Sequence, residues 1–381
     1  MVQWNGLSKP LYTRGFVIRV LVKSILLFLL ANLVFAVTTP LPLLGSLSLY
    51  NRLLPGRARL PYGENPAQSY NLSLMSLEAM FASHEIARPK AADEFRVLLL
   101  GDSATWGILL RPEETLSGVL NAGGYTTEDG RRLHFYNIAH PIMALSKDLL
   151  LLDYAMRCEP DMVIWLFTAE SFPRQQQLYP PLVQHNAAAL RPLIANYDLD
   201  IDASDGRLVN FSFWDNTLIG RRRDLADMLR LQLYGFAFAA TGIDQYYPPT
   251  YTPRSNDLPA DDTWYSFTPA HTLTSQDLSF DVLDAGITRA GNIPVLLVNE
   301  PIFIANGENS DIRYNAWYPR WAYDAYRALI AAPAQAGDWL LFDTWNAIAP
   351  EHFTDSPVHL DAQGTRAFAA ILLPLILQNA R

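Results

Sequence analysis

The sequence predicts an α/β fold built on a parallel sheet, and three observations carry that prediction. Five short runs rich in apolar and β-branched residues recur along the chain, helix-length segments separate them, and polar residues gather just beyond the carboxyl end of each run. The runs are Arg96–Leu100, Leu133–Ile138, Met162–Phe167, Ile293–Val298 and Trp339–Phe342. None alternates cleanly between apolar and polar positions, the pattern of strands buried on both faces. Helical segments are expected at Glu113–Leu120, Ser146–Met156, Ser275–Ala290 and Trp321–Ala331, with Ala362–Leu377 closing the chain. Strand and helix in alternation require a parallel sheet covered on both sides.

A chain of 381 residues, 50% hydrophobic, has material for one large domain with additions. Its formal charge of −9, with no basic run to offset it, argues against a nucleic-acid partner. Cys158 is the single cysteine, so no intramolecular disulfide can form, and it is expected as a small buried residue on a helix. No histidine and carboxylate cluster has metal-ligand spacing, and no glycine loop is built for phosphate, so neither metal nor cofactor is assigned.

The N-terminus differs in kind. From Phe16 to Val37 the residues are apolar except for Arg19, Lys23, Ser24 and Asn32, and a bilayer needs about 20 such residues in a helix. Lys9, Arg14, Arg19 and Lys23 on the leading flank assign residues 1–15 to the cytoplasm and export the remainder, while Arg52, Arg57 and Arg59 on the trailing flank weaken that bias. An uncleaved membrane anchor over 16–37 is favoured by the length of the apolar stretch. A cleaved signal peptide, cut in the region of Ala31 to Ala36, is the competing reading. Residues 38–94, with Pro40, Pro42, Pro55, Pro61, Pro66 and Pro89, read as a juxtamembrane connector holding one short helix within Ser73–Ala87. The main domain then covers 95–381.

In a parallel sheet of this kind the ligand crevice lies beyond the carboxyl ends of the strands. Ser103 follows the first run, Asn137 to Ala144 the second, Thr168 to Ser171 the third and Asn299-Glu300-Pro301 the fourth, while His359 lies in the loop after the fifth. Ser103 sits where a strand turns into a helix, a position that exposes a nucleophile, and His359 supplies the base that a serine hydroxyl needs.

Two segments bear the chemistry: Gly101-Asp102-Ser103-Ala104-Thr105-Trp106-Gly107 with Pro112-Glu113-Glu114-Thr115-Leu116, and Asp355-Ser356-Pro357-Val358-His359. Together they resemble the SGNH (GDSL-type) esterase and acyltransferase superfamily over residues 95 to 381. The resemblance implies a flavodoxin-like three-layer sandwich with strand order 2-1-3-4-5, Ser103 as nucleophile, and His359 with Asp355 as its catalytic partners. It implies an oxyanion site built from the Ser103 backbone N–H, a second-block glycine N–H and a third-block asparagine side chain. Counting from Asn137, the glycine position falls near Ile142, whose N–H can still serve. The third block reads Thr168-Ala169-Glu170-Ser171, and an ionised Glu170 accepts hydrogen bonds only. Either Glu170 is protonated, or it points elsewhere, or the oxyanion site is built differently. Asp355 stands four residues before His359 where the family has three; it reaches the imidazole if the loop bulges at Pro357. Otherwise Ser103 and His359 form a dyad and another residue orients the ring, Glu300 being a candidate whose alternative is a structural carboxylate bonded to backbone amides. Asn137 and His140 are expected near the site, and His352 near the last loop facing solvent.

Between the third and fourth strands an insertion, about 173–274, carries many aromatic residues, among them Tyr179, Trp214, Tyr246, Tyr251, Trp264 and Tyr265, and the triplet Arg221-Arg222-Arg223. A carbohydrate-lining lid and an accessory subdomain with its own small core explain these equally well. Within it, Leu225–Ala240 is apolar, too short to span a bilayer but able to lie at its surface. The expectation is a membrane-anchored, extracytoplasmic serine esterase or O-acyltransferase. Its substrate class, acyl esters of an envelope glycan or a lipid-linked carrier, follows from the resemblance alone, as does a membrane-bound acyl-transfer partner. The rival is an SGNH fold without ester chemistry, an anchored glycan-binding or envelope-assembly protein.

Overall fold

The computed structural model describes residues 12–380; Lys9 and most of the 1–15 segment lie outside them. Strands β1 (Glu94–Leu100), β2 (Arg132–Asn137), β3 (Met162–Phe167), β4 (Val295–Asn299) and β5 (Leu340–Asp343) form one sheet in the order β2-β1-β3-β4-β5, every pair parallel. This is the expected α/β sandwich, with a residue or two of difference at strand ends. β4 starts after Pro294, which has no N–H to donate, although its carbonyl still accepts from Val163.

Side chains alternate across the sheet and feed two cores. Along β1, Leu98 and Leu100 enter one, while Phe95, Val97 and Leu99 enter the other. The first core lies under α7 (Leu145–Ala155), α11 (Phe280–Ala290) and α12 (Arg320–Ala336); the second lies under α6 (Leu116–Ala122) and α13 (Ala362–Asn379). β5 departs from the expected two-sided burial. It is the edge strand, and Leu340 stays 45% exposed. The helix expected over 113–120 breaks at Thr115, whose hydroxyl caps α6 by accepting from Gly118 N. That expected from Ser275 begins only at Phe280, because the Ser279 N–H is spent on the carbonyl of Phe172. Cys158 is half-buried on a single 3-10 turn after α7.

Ahead of the sheet, α1 (Arg14–Thr38) is long and apolar enough to cross a membrane. Segment 38–94, read above as a connector, is built into the domain. It forms α2 (Leu41–Gly45), α3 (Leu49–Leu53) and α4 (Leu77–Ser83), and Leu60, Leu72, Leu77, Met80 and Phe81 join the first core. Arg57 and Arg59, read as flanking charges, are fully buried. The insertion contributes α8 (Pro181–His185), α9 (Ala187–Tyr197) and α10 (Arg222–Thr241). Its aromatics divide between the two expected roles: Trp264 is buried with the first core, whereas Tyr179, Trp214 and Tyr251 are exposed.

Candidate active site

β1 ends at Leu100, and Gly101 makes the turn possible: a Cβ there would meet Thr105 Oγ1 at 2.7 Å and the Leu166 carbonyl at 3.0 Å. Asp102 Oδ1 then accepts from Ala104 N at 2.8 Å, capping the short helix α5 (Ser103–Trp106) so that Ser103 stands at its first position. At the far end of the sheet, Ser356 Oγ accepts from Val358 N and His359 N, both at 3.2 Å, and the Pro357 carbonyl accepts from Phe303 N. That compact loop closes the four-residue spacing. His359 Nδ1 lies 2.9 Å from Asp355 Oδ1, and His359 Nε2 lies 2.8 Å from Ser103 Oγ. Partial burial alone would raise the Asp355 carboxyl, but the hydrogen bond and charge of His359 outweigh it and hold the carboxyl below its usual range.

Two clefts meet at Ser103 and Ile142. The larger, about 480 Å³, is bordered by Tyr62, Trp106, Gln245, Tyr246, Asp355 and His359. The smaller, about 270 Å³, is bordered by Met143, Glu170, Gln176, Tyr179 and Trp317. Ile142 has φ 76°, a left-handed conformation that is costly for a β-branched residue. Among the described residues neither its N–H nor that of Ser103 donates a hydrogen bond, which leaves two backbone donors free on residues that border both clefts.

Glu170 borders the smaller cleft as an acceptor. Its carboxylate takes hydrogen bonds from the Tyr265 hydroxyl and, at 3.3 Å, from Trp264 Nε1. Burial pushes its pKa up, and those two donors oppose the shift. Glu170 is thus engaged with Tyr265 and Trp264 while it borders the cleft at Ser103.

Asn137 and Glu300, expected to line the site, lie beneath it instead, because each is spent on holding the nucleophile turn. Asn137 Nδ2 donates to the Thr105 carbonyl at 2.9 Å, and Thr105 Oγ1 donates to Glu300 Oε1 at 2.7 Å. Glu300 is thus bonded neither to His359 nor to the backbone amides proposed as its structural alternative. His140 is buried behind the clefts, where burial and the charge of Lys147 push its pKa down to about 3. His352 is half-buried against Asp361, away from Ser103.

Sequence reasoning missed two buried networks. Lys147 Nζ donates to the carbonyls of Gly101 and His140 at 2.7 and 2.6 Å and pairs with Asp148 at 2.7 Å, tying together the loops after β1 and β2. The available signal was a Lys-Asp pair opening an otherwise leucine-rich helix. Arg59 ion-pairs with Asp244 at 2.6 Å and donates to the carbonyls of Trp106, Gly107 and Leu110, while Gln245 Nε2 donates to those of Gly107 and Leu110. No local pattern announces that pairing. Among the described residues no group of histidines, cysteines and carboxylates is placed to hold a metal ion.

Comparison with family models and with curated proteins finds no match. Solved structures do match. A carbohydrate acetylesterase family member from Sinorhizobium meliloti is 15% identical, over 75% of this chain and 98% of that one, with a TM-score of 0.34. The aryl esterase of M. smegmatis is 12% identical over 74% and 99%, with a TM-score of 0.33. An acetylxylan esterase from Geobacillus stearothermophilus is 12% identical over 73% and 92%, with a TM-score of 0.33. Likenesses this distant carry no argument about activity, which rests on the site itself.

Proposed function

We propose that this chain is a serine esterase or O-acyltransferase, anchored by α1 with its N-terminus in the cytoplasm and its catalytic domain outside, acting on acyl esters of an envelope glycan or a lipid-linked carrier. One observation carries the chemistry: the unbroken Ser103–His359–Asp355 hydrogen-bond line at the carboxyl ends of a parallel sheet, where two clefts meet. Ser103 Oγ attacks the ester carbonyl and its proton passes to His359 Nε2, while Asp355 balances the imidazolium and fixes the ring. The oxyanion is stabilised by the N–H groups of Ser103 and Ile142. Collapse breaks the ester C–O bond, the departing alkoxide takes the proton from Nε2, and an acyl-serine remains. His359 then deprotonates water or a sugar hydroxyl, which attacks the acyl-serine and releases Ser103. Clefts on both sides of the serine support transfer as well as hydrolysis, since acyl group and acceptor can be held at once.

The test is labelling of the full-length protein by a fluorophosphonate, with Ser103→Ala as control. Labelling of the parent and none of the variant is expected. Equal labelling of both sinks the nucleophile assignment, and no labelling of a folded parent favours the non-catalytic rival.

A further inference from the structure

The membrane helix does not end free of the domain. Its buried positions are Asn32 and Ala36, with Phe35 half-buried between them, one face at helical spacing. Asn32 Oδ1 accepts from Ile219 N at 3.2 Å, and Phe35 and Thr39 border a cavity of about 290 Å³ shared with Phe211, Arg221 and Met228 of the insertion. The insertion therefore reaches back along α1. From Asn32 to Thr38 the helix rises about 9 Å, and interfacial apolar faces sink about 5–10 Å into the boundary between headgroups and acyl chains.

What the insertion carries at this level is largely apolar, with the Arg221 guanidinium stacked on Phe211 and Phe213 against Trp214. Phe211, Phe213, Trp214 and Ile219 are exposed, Trp214 by 76%. The surface continues along α10, where Leu229, Leu233 and Phe236 recur at one helical face and are all exposed. The adjoining side of α10 is packed: Leu231 is fully buried, Gly235 has no room for a Cβ, which would meet the Tyr50 ring at 2.2 Å, and Gln232 at the edge of the exposed face bonds Leu49 N and the Leu47 carbonyl. That clamp aligns α10 with the corner between α2 and α3, which adds exposed Leu43, Leu47, Leu49 and Leu53. Exposed Arg52, Arg222 and Arg223 are suited to lipid phosphates at its border. A water-facing patch of this extent is a poor surface for a monomer.

We propose that this face lies on the bilayer that α1 crosses, a second and monotopic membrane contact made by the insertion and the α2–α3 corner. Continuity with the span, the depth of the Ile219 contact and an exposed tryptophan at interfacial level identify lipid as the occupant. The consequence reaches the catalytic cleft. α10 runs through Gly242 into Gln245, Tyr246 and Pro248, which border the larger cleft, and the Arg59–Asp244 pair locks that exit to the nucleophile turn. The cleft is thereby fixed relative to the membrane surface, within reach of esters held there.

The inference rests on α1 being retained as an anchor, and its test is independent of esterase activity. In full-length protein carrying Cys158→Ser, single cysteines replace Trp214, Leu233, Leu29 in the span and exposed Ser204, each labelled with NBD in nanodiscs containing doxyl-labelled phosphatidylcholine. Labels at positions 214 and 233 are expected to be blue-shifted and quenched by lipid to within about twofold of the label at 29, with no quenching at 204. Labels at 214 and 233 that behave like 204 while 29 is quenched overturn the proposal and leave the anchor standing. Blue-shifted labels that lipid does not quench overturn it in favour of a protein occupant, a second copy or another chain. An unquenched label at 29 removes the anchor reading and this one with it.

Discussion

Asp355 and Glu300 are both carboxylates at the ends of the sheet, and their surroundings push them in opposite directions. Asp355 is partly open to solvent and bonded to an imidazole, so its anion is favoured. Glu300 is buried beneath the nucleophile turn with Asp102, Asp148 and one cation, Lys147; burial first, and the nearby Asp102 charge second, push its pKa well above the usual range. Asp148 is likewise raised, to about 6, chiefly by burial and against the pull of Lys147. The upper group can serve as a charged partner in turnover, and the lower set holds the turn in place. Degree of burial and the charge of the neighbour, an imidazole for Asp355 and a second carboxylate for Glu300, separate the two.

The sharpest way to break this contrast is to neutralise the upper carboxylate. Asp355→Asn retains the side-chain volume but cannot balance an imidazolium, and kcat should fall by about 10⁴-fold with the denaturation midpoint little changed. A small loss of kcat in a stable protein would mean that Ser103 and His359 act as a dyad.

The lower set should answer in stability. Lys147→Met removes the one cation beside buried Asp148, which keeps only Trp165 Nε1 as a donor, and strips the His140 carbonyl of its partner, while the Gly101 carbonyl retains His140 N; the change should cost about 3–5 kcal/mol of unfolding free energy, measured by denaturant titration in detergent. Adding Asp148→Leu removes the stranded charge and should restore much of the loss. A single substitution within about 0.5 kcal/mol of the parent would show that the network carries no load.

Glu300→Gln separates the two regions by pH. A carboxyl whose folded pKa exceeds its unfolded value binds the extra proton in the native state, so its contribution to stability is present at low pH and lost as pH rises from the unfolded value through the folded one. Glu300→Gln should flatten that decline above about pH 4.5. Asp355, whose folded pKa is lowered, works with the opposite sign: its contribution is present above the unfolded value and lost as pH falls. An unchanged stability profile in Glu300→Gln would place the titration elsewhere.

The legibility of the sequence follows the same division. The strands and the positions of Ser103 and His359 were readable because burial on both faces and the turn beyond a strand leave local patterns. Asp355 was readable as a residue, but its contact depended on Ser356 closing the loop. Glu300 and Asn137 were misplaced because the end of a strand does not reveal whether a side chain points into the crevice or under the turn. The Arg59–Asp244 pair joins residues 185 apart in sequence, and segment 38–94 read as a connector because its prolines mask the apolar positions that enter the core. Pairings of that kind exist only once the chain has folded.

The smallest expected effect belongs to Ile142, where strain and function meet. Its φ of 76° suits glycine, so Ile142→Gly relieves a conformational cost of about 1–3 kcal/mol while adding unfolded-state entropy and removing a side chain that borders both clefts. These terms oppose one another, and the stability should stay within about 1 kcal/mol of the parent. The backbone N–H remains, so kcat on a small ester should also stay within about threefold, while KM rises for substrates that contact the lost side chain. The informative comparison is Ile142→Pro, which deletes the N–H and imposes a φ near −65°. If Ile142→Pro folds and keeps full kcat, the second oxyanion donor is not at this residue, and the conformation at 142 serves the shape of the clefts rather than the chemistry.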